Sequence, residues 1–558
     1  MKTSVVIVVV LFLSIGCSAQ NPQAEVDKLI AAMIKPESGG VTVAVAEGDK
    51  ILFSKGYGLA NVEYNIPNSP KTIFHVASVS KQFTAFAIAL LVEQGKISLD
   101  DDIRKYLPEL HDFGSKITIR HLVHHTSGLR DQWNLLALAG WRLDDVITKN
   151  QVLRLISHQD ELNFKPGDEF SYCNTGYTLM GEIVSRVTGK SFADWCSENI
   201  FKPLSMDRTL FYDDHEKIVK DRAYSYNDSP NGLKKSVLSY ANAGATSLFT
   251  TAEDLTKWSA NFYQMKVGSK TVMKQMEQRG ILNKGDTLSY AFGQAIANYK
   301  GVKSIAHSGG DAGYRTFLIR FPEQQYSIVV LSNLGSFNPA GLAYQVADIY
   351  LKKYLIQETK TEDSKPAAPP TGTVSVKEGV LKLYEGQYQL NPEMIVSIKS
   401  DGGKLSAQAT GQPEITLTAA SETEFVVPEY GIKIAFKKSD KPATEFTLHQ
   451  GGQTITASKM KPFDPKSIDL KSYAGVYYSP ELQTSYDIVL KNDTLIINHI
   501  RHEPVPMSAV GSDAFTTSAW YMSKIDFNRN SQSEITGFKA SSGRVKNVRF
   551  VKSMKLPN

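Results

Sequence analysis
His75-Val76-Ala77-Ser78-Val79-Ser80-Lys81-Gln82-Phe83-Thr84-Ala85-Phe86-Ala87, continuing through Ile88-Ala89-Leu90-Leu91-Val92-Glu93-Gln94 to Gly95, decides how this chain is read. Phe83, Phe86, Ala87, Leu90, Leu91 and Gln94 recur at three- and four-residue steps, which predicts a well-buried helix. Ser78 stands at its start, where an N-cap is favoured, and Gly95 stands where a C-terminal glycine belongs. On such a helix Ser78 and Lys81 lie about one turn apart, so the amine reaches the hydroxyl. A serine hydroxyl is a weak nucleophile until a base activates it, and a lysine desolvated beside it is one such base. Taken alone, Ser-x-x-Lys is more often a capped helix start followed by a surface lysine. Its weight comes from what stands further along.

Working outward, Val41–Ala46 and Ile51–Gly56 flank the turn-like Glu47-Gly48-Asp49-Lys50 and read as a β-hairpin, preceded by a short amphipathic helix near Val26–Ile34. Ile97–Leu107, with acidic residues in its first turn, reads as a helix start. His121, His124 and His125 invite a metal reading, but they lack a carboxylate or cysteine partner at ligand spacing, so hydrogen-bonded histidines at a helix end are expected. Pro166-Gly167 turns the chain into Tyr172-Cys173-Asn174, and a helix follows from Leu179 to Val187. Tyr172 and Asn174 share a side if that piece is extended, a phenol and an amide suited to proton transfer and carbonyl recognition. Ile305–Gly310, Thr316–Pro322 and Tyr326–Asn333 read as neighbouring strands. Their continuous apolar runs call for cover on both faces.

Three pieces thus stand in chain order: Ser78-Val79-Ser80-Lys81, Tyr172-Cys173-Asn174 and His307-Ser308-Gly309. The set resembles the serine β-lactamase and penicillin-binding-protein superfamily, whose signature is S-x-x-K with later S-D-N and K-T-G elements. Tyr-x-Asn is similar to the class C β-lactamase-like and D-alanyl-D-alanine carboxypeptidase-like branch, as are His125-Thr126-Ser127-Gly128-Leu129, Phe164-x-Pro166-Gly167 and Thr251-Ala252-x-Asp254-Leu255-x-x-Trp258. The resemblance spans roughly residues 25–355. It implies an α+β (α/β sandwich) fold, an antiparallel sheet flanked by helices, and a serine hydrolase without cofactor or metal. Carried over by position, Ser78 is the acyl-accepting nucleophile and Lys81 holds or relays its proton. Tyr172 is general base and then acid to the leaving group, and Asn174 binds the carbonyl side of the substrate. The N–H groups of Ser78 and Gly310 receive the oxyanion. His307, Ser308 and Gly309 line the substrate strand.

The departure is His307 where β-lactamases carry lysine. A histidine of ordinary pKa, about 6.5, is mostly neutral at pH 7 and anchors a carboxylate weakly. Hydrolysis of an ester or peptide through an acyl-enzyme is therefore expected, as in the esterases, D-amino-acid peptidases and carboxypeptidases of the superfamily. The alternatives are a class C-like β-lactamase or a non-catalytic penicillin-binding or cell-wall-binding protein. The partner implied is a small-molecule, peptide or cell-wall-derived acyl substrate.

The chain's 558 residues exceed one core, and 42% hydrophobic with 21% charged residues is ordinary for a globular protein. A formal charge of +5 without a long basic run gives no sign of nucleic acid. Met1-Lys2-Thr3, the apolar run Val5–Leu13 and the small residues that follow read as a secretory signal, 1–19, too short for a membrane span. Cleavage after Ala19 is expected. Lipidation at Cys17, behind an imperfect lipoprotein box, is the other course. Location is then secreted or periplasmic in a bacterium. Cys173 and Cys196 are expected as unpaired buried thiols.

The hydrolase unit is expected over 20–357, followed by a polar, proline-rich linker over 358–379. Beyond it strand alternation replaces helical periodicity, and landmarks repeat at offsets of 89 to 91 residues: Tyr384 with Tyr473, Leu405 with Leu495, Phe425 with Phe515, Phe436 with Phe527. Two β-units are expected, 380–463 and 464–558. Each resembles the small lipocalin-like domains that follow some hydrolases of this superfamily, with most of the tyrosines in barrel cores and a role in substrate gating or recognition.

Overall fold
Valines alternate along β1 (Val41–Glu47) and set the facing of the central sheet. The structure, a computed structural model, describes residues 21–356, 374–391, 394–409, 414–427, 431–450, 453–461 and 463–553. The signal segment with Cys17, and most of the linker, lie outside the described residues. β1 and β2 (Lys50–Tyr57) form the expected hairpin. They join β3 (Ala295–Tyr299), β4 (Val302–Asp311), β5 (Tyr314–Phe321) and β6 (Tyr326–Ser332) in an antiparallel sheet of order β3-β4-β5-β6-β1-β2. Register places Val43 beside Val330 and Phe317 beside the same Val330, so one face carries Val41, Val43, Val45, Phe317, Ile319, Ile328 and Val330. Helices α1 (Pro22–Ala31) and α5 (Pro339–Tyr350) cover that face. Ala44, Leu318, Val329 and Leu331 point the other way, into the larger core of α2 (Ser80–Glu93), α3 (Asn174–Thr188) and α4 (Ala252–Gln264). The period of two along each strand decides this division.

Three local expectations shift. α2 starts at Ser80, and Ser78 lies on a tight 3₁₀ turn (Ala77–Val79) just before it, with no side-chain cap. Burial of the whole helix against its neighbours replaces the cap. α3 starts at Asn174, five residues earlier than expected, and ends on a left-handed Gly189. The stretch 97–107 forms only a 3₁₀ turn (Ile103–Lys105). There the Asp101 and Asp102 carboxylates take the backbone N–H groups of Ser98 and Arg104, a local alternative to helix.

The C-terminal part is two closed barrels of eight strands each, 386–459 and 475–553. The repeat is visible in detail: Tyr388 donates to the carbonyl of Tyr384, and Tyr477 to that of Tyr473. All four rings are core residues. The first barrel buries a cluster of its own, whereas the core of the second is continuous with that of the α2–α3 body.

Candidate active site
Ser78 is half-buried beside the bare edge of β4. β3 pairs only with residues 302–306 of β4, so among the described residues His307–Asp311 have no strand neighbour on that side. Ala77 holds φ +47°, left-handed backbone in a non-glycine residue, and this turns Ser78 toward the cleft. The close approach also fixes Gly309: a Cβ there would lie 2.3 Å from both Thr316 Oγ1 and the Val76 carbonyl oxygen. Thr316 Oγ1 donates to that same carbonyl at 3.0 Å, tying the Ser78 turn to β5.

Lys81 is fully buried. Its Nζ donates to Ser78 Oγ at 3.0 Å, Asn174 Oδ1 at 2.8 Å and the Ala245 carbonyl at 2.7 Å. Burial pushes its pKa down to about 7, against the opposing pull of Asp311 and Asp131. Asn174 is held in turn by the buried Asp131 carboxylate, which accepts from its backbone N at 2.7 Å and from Nδ2 at 2.8 Å. The amide thus presents oxygen to Lys81 and keeps one Nδ2 proton for the cleft.

Tyr172 packs against His125 with ring centres 4.2 Å apart and planes tilted by 37°, and Lys81 Nζ lies 4.9 Å from its ring centre. Burial raises its phenol well above the ordinary range, with Ser78 and then Arg544 opposing. Its hydroxyl makes no hydrogen bond of ordinary geometry among the described residues, although Ser78 is the neighbour that most favours its phenolate. His307 is buried, pushed down to about 4 by that burial and then by Lys81. Its Nδ1 donates to the Ser308 carbonyl at 2.6 Å, so Nε2 accepts from Tyr290 Oη at 3.0 Å. This neutral ring has both nitrogens engaged and offers a substrate no charge.

Ser78, Tyr172, Asn174, His307, Ser308 and Gly310 all line one cavity of about 390 Å³. Lys81 sits beneath it, and Gly309 lies in the strand between His307 and Gly310. Trp133, Thr246, Asp311 and Arg544 complete the wall. Asp311 is held by His75 at 2.9 Å and by Thr246. The three clustered histidines do other work. His121 closes a capping box with Thr118, His124 packs edge-on against Phe292, and His125 Nδ1 accepts from the Cys173 N–H at 3.1 Å. Cys173 and Cys196 are both free and buried.

Asp131, Thr246, Asp311 and Arg544 have no motif that marks them in sequence. Asp131 could have been sought as a helix cap, since its Oδ1 accepts from the Trp133 N–H at 3.0 Å. Nothing in the sequence signals Arg544, which arrives from the last hairpin of the second barrel.

An antiparallel sheet between helical layers, with Ser-x-x-Lys at a helix start beside a glycine-bearing strand edge, is the architecture of the β-lactamase and penicillin-binding class of serine hydrolases. The chain belongs to the Beta-lactamase family, whose sequence profile matches residues 26–350. It is 26% identical over 461 residues to penicillin-binding protein 4* of Bacillus subtilis, covering 79% of this chain and all of that protein. In fold it is similar to the octameric penicillin-binding protein homologue from Pyrococcus abyssi, with TM-score 0.55 and 23% identity over 86% of this chain and 99% of the other. It is also similar in fold to the D-amino acid amidase from Ochrobactrum anthropi, with TM-score 0.50 and 22% identity over 60% of this chain and 97% of the other. Among the described residues no helix is long and apolar enough to cross a membrane.

Proposed function
We propose that the protein is a secreted serine hydrolase that takes an acyl group from an ester, peptide or amide onto Ser78 and passes it to water. The observation that carries this reading is Lys81 Nζ, buried within reach of three acceptors at once. As an ammonium it donates to all three. As the neutral amine that burial favours, it keeps two N–H groups for Asn174 and Ala245 and turns its lone pair to Ser78, whose O–H then donates to it. Ser78 Oγ attacks the substrate carbonyl as Nζ takes its proton. The N–H groups of Ser78 and Gly310 receive the oxyanion, and donors of this kind contribute about 10²–10³ in rate each.

Position in the chain assigns Tyr172 the base role, but burial keeps its phenol protonated at rest, so it does not take the first proton. It serves as the relay that gives a proton to the leaving group, replenished from Lys81. Water then attacks the acyl-serine by the same path in reverse. Asn174 and Asp131 hold Lys81 in place. His307 is neutral and supplies no cation at the third motif, where β-lactamases carry lysine, which supports an ester or amide substrate. The apolar run Val5–Leu13 supports secretion.

The test is intact mass of acid-quenched protein after mixing with benzylpenicillin or with an activated aryl ester, alongside turnover of the ester. The wild type gains the acyl mass from at least one donor, while Ser78→Ala gains none and loses about 10³-fold or more in turnover. Unchanged turnover in Ser78→Ala would remove the mechanism.

A further inference from the structure
The second barrel does more than lean on the catalytic body. Its last hairpin, between strands Ile535–Ser542 and Val545–Ser553, carries Arg544 at the tip. The hairpin backbone is fastened: the Arg544 carbonyl accepts from the Asp131 N–H at 3.2 Å and from Asn163 Nδ2 at 2.8 Å. Its guanidinium lies 5.0 Å from the centre of the Tyr172 ring and lines the same cavity as Ser78. Among the described residues this guanidinium has no ion-pair partner, and it stays exposed. The cavity's other charged wall, Asp311, is already engaged by His75 and Thr246. The neighbouring hollow of about 540 Å³, reached past Trp133, Asp311 and Arg544, gives the substrate room beyond the Tyr172 side.

We infer that Arg544 is the specificity residue for a carboxylate on the leaving group, so that the substrates are acyl donors whose departing half ends in a free carboxylate. The cation missing from the third motif is thus supplied by the appended barrel. A guanidinium binds a carboxylate through two parallel N–H···O bonds, a geometry that an exposed, unpaired arginine at a cleft wall can adopt. Its place over Tyr172 puts that anchor on the side where the leaving group takes its proton. This inference rests on the Ser78 acyl-enzyme reading for what counts as the leaving group.

The experiment compares benzoylglycyl thioglycolate, a thioester whose leaving group bears a carboxylate, with the same thioester made as the carboxamide. Dissociation constants for both are measured by calorimetry on full-length Ser78→Ala and on Ser78→Ala carrying Arg544→Gln or Arg544→Lys. The kcat/KM ratio of the two compounds is measured on proteins that keep Ser78. Arg544 also bears on Lys81, so its loss affects both compounds alike and the ratio isolates the carboxylate. The expected result is a preference for the carboxylate of about tenfold or more, falling to about one in Arg544→Gln and partly kept in Arg544→Lys. No preference in the parent, or the same preference after Arg544→Gln, overturns the inference. If Ser78→Ala turns over either thioester at the parent rate, the acyl-enzyme reading falls by itself, and the binding ratio still decides Arg544.

Discussion
Lys81 is where the chemistry is most sensitive to its surroundings. A lysine in water stays charged to about pH 10.4, and burial brings this one down to about 7. In the proposed mechanism the neutral amine is the base, so below that value the protonated form dominates and acylation is expected to be slow. Ester kcat/KM is expected to rise through an ascending limb centred near pH 7 and to level off above it. A flat profile from pH 5.5 to 8.5 would exclude Lys81 as the titrating base. The residues proposed to react were legible because chemistry restricts such groups to a few types at fixed spacings. Asp131 and Arg544 were not, because a carboxylate that orients an amide and a cation on a hairpin tip obey no local spacing.

At the level of elements, α2 matters most, because it fixes Lys81 and the turn that bears Ser78. Trp258 of α4 locks it: the indole lies 4.3 Å from Phe83 and 5.0 Å from Phe86, and its N–H donates to Gln82 Oε1 at 3.0 Å. Trp258→Ala is expected to cost about 3–5 kcal/mol in denaturant unfolding and to lower ester turnover with it. Trp258→Phe keeps most of the ring but strands the Gln82 oxygen, so a smaller loss of about 1–3 kcal/mol is expected. The helix and the strands of the sheet were readable from periods of 3.6 and 2. Their starts were less so, because tertiary burial replaced the cap that sequence favours at Ser78, and aspartate side chains diverted 97–107 into turns.

In the whole molecule the two barrels, alike in sequence landmarks, have unequal attachments. Arg130, fully buried, pairs with the buried Glu481 of the second barrel and also donates to Gln159 and the carbonyls of Lys546 and Asn547. Arg501–Asp145 and Arg549–Asp160 add exposed pairs, and Tyr486 donates to the Leu138 carbonyl. Removing one partner of a buried ion pair costs about 3–5 kcal/mol where the other charge is left stranded, and here the partly exposed Glu161, 3.6 Å from Arg130, offsets only part of that loss. Glu481→Ala is therefore expected to lower the calorimetric midpoint of the catalytic body and second barrel together, leaving the transition of 386–459 in place. It should also reduce turnover, since Arg130 adjoins Asp131, which holds Asn174. A shift confined to the second barrel would contradict the continuous core. The repeat itself was legible from aromatic and leucine landmarks. The difference in attachment was not, because the contacts that create it join residues hundreds of positions apart.

That distance gives the Arg130–Glu481 pair a meaning in time. Its members are 351 residues apart, and a ribosome adding roughly 5–20 residues per second needs roughly 20–70 s to pass from one to the other. Throughout that interval the nascent chain holds a serine, a lysine and a tyrosine, with only the partly exposed Glu161 beside Arg130 and no Arg544. The cleft is therefore born open on one side, and on the proposed reading only the late arrival of the last hairpin makes Ser78 selective.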